Sequence, residues 1–395
     1  MRIAIIDADL IGRQKHRFPN LACEKISAYW KKSGATVELK LDYDGLEKYD
    51  HVYISKVFTD TVVPEWLCAT DKIHMGGTGF YFDKAPNLPD EIEHSMPDYD
   101  LYNDWIASEI AKAETIAKAE NKRFNKSNFM LQFKGYTDYS IGFMTRGCFR
   151  KCPFCVNQKY DHVFQHSPLE EFFDPTRKKI CLLDDNVLGC SKWKDILEEL
   201  IATGKPFKFM QGMDERLLTD EKCKMLFSSI YDGDYTFAFD SISDYDLIHK
   251  KLHLIRKYTD TTCLKFYVLV AFESTDAIDI ENAFKRIALL MRYRCLPYLM
   301  RYQSKNETPW KQSEYREMYI TLARWCNQPS FFKKMTFREY CMANQTEIKT
   351  EGKLCTAMRA LTTFENNHPE IAQKYFDMRF PEIVDDDWAE NTSKV

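Results

Sequence analysis

Short apolar runs alternate along this chain with stretches whose apolar residues recur every three or four positions, the pattern of strands and helices taken in turn. Arg2–Asp7 (RIAIID) is an apolar run of strand length. Ala22, Ile26, Tyr29 and Trp30 then fall at helical spacing, and Gly34 after Ser33 marks a helix end. Residues 36–41 read as a second strand, 51–58 as a third, and 73–82 as a short strand entering a glycine turn. This β-α-β series predicts a small parallel sheet flanked by helices. Residues 104–126 are rich in Ala, Glu and Lys, with Ile106, Ile110, Ala113 and Ala117 as a thin apolar stripe. They read as a mostly solvated connecting helix, with the domain boundary there.

From Tyr139 the alternation resumes. Strands are expected at 139–145, 178–188, 206–213, 235–242, 263–272 and 296–302. Between them lie helical faces built on Trp193, Ile196, Leu197, Leu200 and Ile201 (Ser191 as N-cap, Gly204 at the end), on Cys223, Leu226, Phe227 and Ile230 (starting near Thr219), on Ile248, Leu252 and Ile255, and on Phe284, Ile287, Ala288 and Met291. Six strands with helices between them predict a parallel α/β barrel. The span of roughly 165 residues falls short of the about 250 of an eight-fold barrel, so the barrel is partial. Chemistry on such a scaffold sits at the C-terminal ends of the strands. Beyond residue 303 the pattern is mixed, aromatic and basic, and names no element.

Composition narrows the class. An apolar share of 45% is ample for buried cores, and a net charge of −4 argues against a surface that is basic throughout. No apolar run approaches the about 18 residues of a membrane helix, and the first residues lack a secretory h-region and cleavage site. These features place the chain in the cytosol, where thiols stay reduced. The thirteen cysteines are then no disulfide framework.

Three of them stand together. Residues 145–155 read TRGCFRKCPFC, with Cys148, Cys152 and Cys155 inside eight positions, immediately after the first barrel strand. Three thiolates at this spacing are one ligand short of a four-cysteine iron–sulfur cluster. Arg146, Arg150 and Lys151 would lower thiol pKa values and offset cluster charge, and Gly147 permits a conformation that a side chain would obstruct. A structural zinc site with His162 or His166 as fourth ligand is the bland alternative.

The loop resembles the signature of the radical S-adenosylmethionine (radical SAM) superfamily, down to the aromatic Phe154 before the third cysteine. FAFDS at 237–241 and YVLVAFEST at 267–275 look like the family's fourth- and fifth-strand segments. The resemblance implies that Cys148, Cys152 and Cys155 bind three irons of a [4Fe-4S] cluster, with the fourth iron open to the amino and carboxylate groups of SAM. Reductive cleavage of SAM would then give a 5′-deoxyadenosyl radical that abstracts hydrogen from a substrate, with an electron donor such as flavodoxin or ferredoxin. Phe154 matches the position that touches adenine. Asp185 is the better candidate to accept from the SAM ammonium, although LLDDN (182–186) replaces the family's Gly-Gly-Glu. Asp240 and Ser241 match positions facing the ribose or carboxylate. Gln211, Asp214, Arg216, Glu273 and Arg301 are expected near the same mouth or in solvent.

The N-terminal part resembles the Rossmann-like cobalamin-binding domain that precedes the barrel in one large radical SAM group. Its Asp-x-His-x-x-Gly motif is represented by Asp7, Asp9 and Gly12. Aspartate replaces the histidine that would bind cobalt and is a poor substitute for it. A degenerate domain is expected, with cobalamin as an alternative cofactor and a cobalamin-dependent methyltransferase, or a non-catalytic iron–sulfur or SAM-binding protein, as alternative functions. The expected layout is a Rossmann-like domain at 1–103, a helical linker at 104–134, the partial (β/α)6 barrel at 135–303 and a C-terminal extension placed to cover substrate at 304–395. Cys326, Cys341 and Cys355 read as buried thiols rather than as a second cluster. The substrate, whether small molecule, peptide or RNA, is left open. The basic candidates for RNA are Lys333, Lys334, Arg338 and residues 122–126.

Overall fold

The computed structural model describes residues 1–395 except 14, 15, 17, 262, 305, 306, 347–351 and 382–395. Its chain divides into two compact units, residues 1–208 and 209–395.

In the first unit, β1 (Arg2–Asp7) has Ile3, Ala4, Ile5 and Ile6 wholly buried, so both of its faces are covered. A strand in that position is central to a parallel sheet. It pairs in parallel with β2 (Thr36–Leu39) on one side and β3 (His51–Ser55) on the other, and β4 (Ile73–Gly76) extends the sheet beyond β3, giving the order β2-β1-β3-β4. The crossover helix α1 (Leu21–Lys32) is N-capped by Asn20, which accepts from the Cys23 N–H, and ends at Gly34 in the left-handed region.

Helix α2 (Asn103–Ala119) differs from the solvated connector expected at 104–126. Trp105 and Ile106 are buried in the same core as Ile3, Ile5, Cys23 and Ile26, joined by Tyr102, Phe133 and Tyr136. Its first turn therefore belongs to the sheet's core, and the rest carries the expected thin stripe.

A second sheet follows in the order β5 (Tyr139–Gly142), β8 (Lys179–Leu182), β9 (Phe207–Phe209), with β5 and β8 parallel. Between β5 and β8 lies a short antiparallel ribbon of β6 (Thr145–Arg146) and β7 (Phe164–Gln165). Helix α3 (Trp193–Ala202) buries Ile196, Leu197 and Leu200 as expected. Its N-cap position is Lys192 rather than Ser191, with no side-chain cap. The two sheets are tied by Tyr99, whose hydroxyl donates to the Phe172 carbonyl at 2.7 Å and accepts from the Ile141 N–H at 2.7 Å. Arg177 donates to the carbonyls of Tyr99, Tyr136 and Tyr139.

In the second unit, α4 (Asp220–Ser228), capped by Thr219, leads to β10 (Tyr235–Ala238), α5 (Tyr245–Arg256), β11 (Leu264–Val270), α6 (Ala277–Arg292) and β12 (Leu296–Arg301). The three strands pair in parallel in the order β10-β11-β12. The chain ends its described part in helices α7 (Arg316–Cys326), α8 (Phe337–Thr346), α9 (Thr356–Asn367) and α10 (Pro369–Tyr375), around buried Trp325, Phe332, Phe337, Phe364 and Phe376. The protein is thus mixed α/β with parallel sheets. No described helix is long and apolar enough to cross a membrane.

Candidate functional site

The cysteine loop leaves the C-terminal end of β5 and is closed at its base by the β6–β7 ribbon. Gly147 sits there at φ +87°, and a Cβ on it would lie 2.4 Å from the His162 carbonyl. Only glycine fits that approach. The three thiols form no disulfide and are half-buried. The Cys148 sulfur accepts from the Arg150 N–H at 3.3 Å and from the Asn186 side-chain amide at 3.3 Å, and the Cys155 sulfur accepts from the Asn157 N–H at 3.4 Å. Such N–H donors stabilise anionic sulfur, as a bound cluster requires. Phe154 is half-buried within the same loop.

The LLDDN segment at the end of β8 holds the loop. Asp184 is buried and accepts from the Met144 and Thr145 N–H groups and the Thr145 hydroxyl. Burial pushes its carboxyl up to about 7, against the opposing effect of those bonds. Asp185 accepts from the Gly147 N–H at 2.8 Å and the Asn157 amide at 2.6 Å, so both its oxygens already serve the loop. Asn186 is buried, and its Oδ1 has no partner among the described residues. Sequence reasoning missed Asn157 and Asn186 as sulfur neighbours. The signal for Asn157 was its place two residues after Cys155.

The flanking cations do not all serve the thiols. Lys151 staples the loop by donating to the Gln158 and Tyr160 carbonyls and pairing with Asp161. Arg150 lies over the Phe149 ring. Arg146 lies over Phe143, with its guanidinium carbon 3.7 Å from the ring centroid. His166 faces away from the cysteines as well: it stacks on His94 and lies 3.5 Å from Glu93. Burial, opposed by Glu93, brings its pKa down to about 4. Among the described residues no three His, Cys, Asp or Glu side chains are grouped closely enough to hold a single metal ion.

Asp240 and Ser241 follow β10 in the second unit. Burial pushes the Asp240 carboxyl up to about 6, against the attraction of Arg286. Ser241 caps the next turn by accepting from the Ser243 N–H. Two residues that sequence reasoning passed over stand at the same strand ends. Arg286, 2% exposed, donates to the carbonyls of Phe239, Asp240 and Leu269. Glu215, 1% exposed, accepts from the Ala238 N–H at 3.1 Å with one oxygen, and its Oε1 has no partner among the described residues. Arg216 is held by Asp214 at 2.7 Å and Asp244 at 3.1 Å.

Asp9, where the related motif has a cobalt-binding histidine, is buried. It accepts from the Val57 and Phe58 N–H groups and from the Thr61 hydroxyl. It anchors the turn after β3 and is not presented to a ligand, so the motif residues do not fit cobalt ligation. Cys326 and Cys341 are buried, and Cys355 caps α9 by accepting from the Met358 N–H. Arg338 is spent on Glu365 and Asp377.

Compared with models of known protein families and with curated proteins, the chain matches none.

Proposed function

We propose that the chain is a radical SAM enzyme. Cys148, Cys152 and Cys155 would hold three irons of a [4Fe-4S] cluster, and SAM would take the fourth. When bound, the cluster supplies the electron that cleaves SAM to methionine and a 5′-deoxyadenosyl radical. The observation that supports this reading most is the placement of three unbridged thiols in a loop at the C-terminal end of β5, a loop that the carboxylates and amide of Asp184–Asn186 fix from the end of the neighbouring β8.

The chain's own residues divide the remaining work. Asp184 and Asp185 orient the loop through four backbone and hydroxyl donors and the Asn157 amide. Asn186, Asn157 and Arg150 direct N–H groups at sulfur. Six strands, β5, β8, β9, β10, β11 and β12, are the proposed partial barrel. Phe154, Asp185, Asp240 and Ser241 are the proposed SAM contacts, carried over from the resemblance, and a flavodoxin- or ferredoxin-type protein in the cytosol is the proposed reductant. Cobalamin is left out because Asp9 is committed to the 57–61 turn.

Product formation tests the reading. Protein reconstituted anaerobically with iron and sulfide, reduced and given SAM, is expected to form 5′-deoxyadenosine and methionine. The Cys152→Ala variant is expected to form neither. Reconstituted protein that binds iron and yields no 5′-deoxyadenosine would favour the non-catalytic iron–sulfur alternative.

A further inference from the structure

The first unit holds a cavity of about 950 Å³ that lies between the β1–β4 sheet and the cysteine loop, whose Arg146, Asn157 and Tyr160 line one side of it. It opens outside the carboxyl ends of β3 and β4, where Ser55 and Gly76 line it, beside the point at which the strand order β2-β1-β3-β4 reverses direction. Open parallel sheets bind ligands in this crevice, and the volume lies in the range of small-molecule sites.

Its walls are of two kinds. One is aromatic and lies on the sheet, Tyr53 and His74 stacked at 4.7 Å; Phe82, Tyr160 and Phe164 add further rings to the lining. Gly76 belongs to this wall. A Cβ built on it meets nothing within 4 Å, so no protein atom demands a glycine there. Gly77 and Gly79 are different, since backbone of Lys56 or Phe58 lies within 3 Å of a Cβ at either.

The other wall is charged. Lys25, 4% exposed, pairs with Glu93 at 3.1 Å. Arg146 reaches the same carboxylate only at 4.0 Å, and among the described residues its guanidinium has no other polar partner. Lys25 and Arg146 thus draw on the one Glu93 carboxylate, which His166 also approaches at 3.5 Å, and Glu171 acts on Lys25 from further off. The first turn of α1, also on the wall, adds the positive end of a helix dipole. Asp83, Asp90 and Lys159 also line the cavity.

We infer that this cavity is a binding site for a small molecule with a planar aromatic body and an anionic group, the build of a nucleotide, with the ring on the Tyr53–His74–Gly76 wall and the anion on Arg146. The inference stands on the cavity and not on the cluster, so the two can fail separately.

Flavin mononucleotide, riboflavin and inorganic phosphate serve as probes of ring plus charge, ring alone and charge alone. Binding to the full-length protein is read by flavin fluorescence quenching and by calorimetry. Flavin mononucleotide is expected to bind at least tenfold more tightly than either other probe. Gly76→Val, whose Cβ meets no protein atom within 4 Å and which adds bulk at the ring wall, is expected to weaken it at least tenfold with unchanged Tm. Arg146→Gln is expected to bring its affinity down to that of riboflavin. The same measurements on the Cys148→Ser/Cys152→Ser/Cys155→Ser protein are expected to agree with wild type. Absence of flavin mononucleotide binding, equal affinity for riboflavin, indifference to both cavity variants, or loss of binding in the triple-serine protein alone each overturns the inference.

Discussion

Glu215 shows what a buried carboxyl does when one of its oxygens has no partner among the described residues. Burial pushes it from an ordinary 4.5 up to about 8, against the Ala238 N–H bond that favours the ionised form. Because the folded state holds the proton more tightly than the unfolded one, the stability this contributes is fully present below about pH 4.5 and is lost as pH rises through 8. Glu215→Gln keeps an acceptor for the Ala238 N–H and cannot ionise. It is expected to change Tm little near pH 5 and to stabilise the protein by about 1–3 kcal/mol at pH 9. Thermal unfolding at the two pH values checks this, and an equal shift at both contradicts it. Asp7 and Asp184, each pushed up to about 7 chiefly by burial, titrate in both proteins and cancel in the comparison.

Among the elements, α6 does more than cover its sheet. Its Arg286 donates to three carbonyls at the ends of β10 and β11 while facing the acids Asp240 and Asp279. Arg286→Met strips those carbonyls of this donor and takes from Asp240 and Asp279 the cation that acts on both. It is expected to cost about 3–5 kcal/mol, with Arg286→Lys recovering only part because an ammonium lacks the planar fork. Urea unfolding measures both, and a loss under about 1 kcal/mol for the Met variant contradicts the assignment. The strands themselves were legible as continuous apolar runs because parallel strands are covered on both faces. Their ends were not. Residues 178–188 read as one strand, yet pairing stops at Leu182 and the following acids turn to the cysteine loop. Buried loop and buried strand look alike in sequence. Helices α7 to α10 were illegible because they bury aromatics from several directions, which blurs a single apolar stripe. Trp105 was missed for a related reason: it precedes the stripe that defines α2 and is buried by the sheet above it.

At the scale of the molecule, the three cysteines were readable because they are neighbours in sequence, while the amide that touches Cys148 comes from 38 residues away and is delivered only by the pairing of β5 with β8. The same pairing is what the functional account depends on. It sets a loop with three unbridged thiols at a strand end, where the proposed cluster would leave its fourth ligand position to SAM. Electron paramagnetic resonance of the anaerobically reconstituted, reduced protein, recorded with and without SAM, tests that claim most directly. The account expects one four-iron cluster per chain whose reduced signal shifts when SAM is added, and no such signal in the Cys152→Ala variant. Protein that takes up no iron, or a reduced cluster whose signal SAM leaves unmoved, would contradict it.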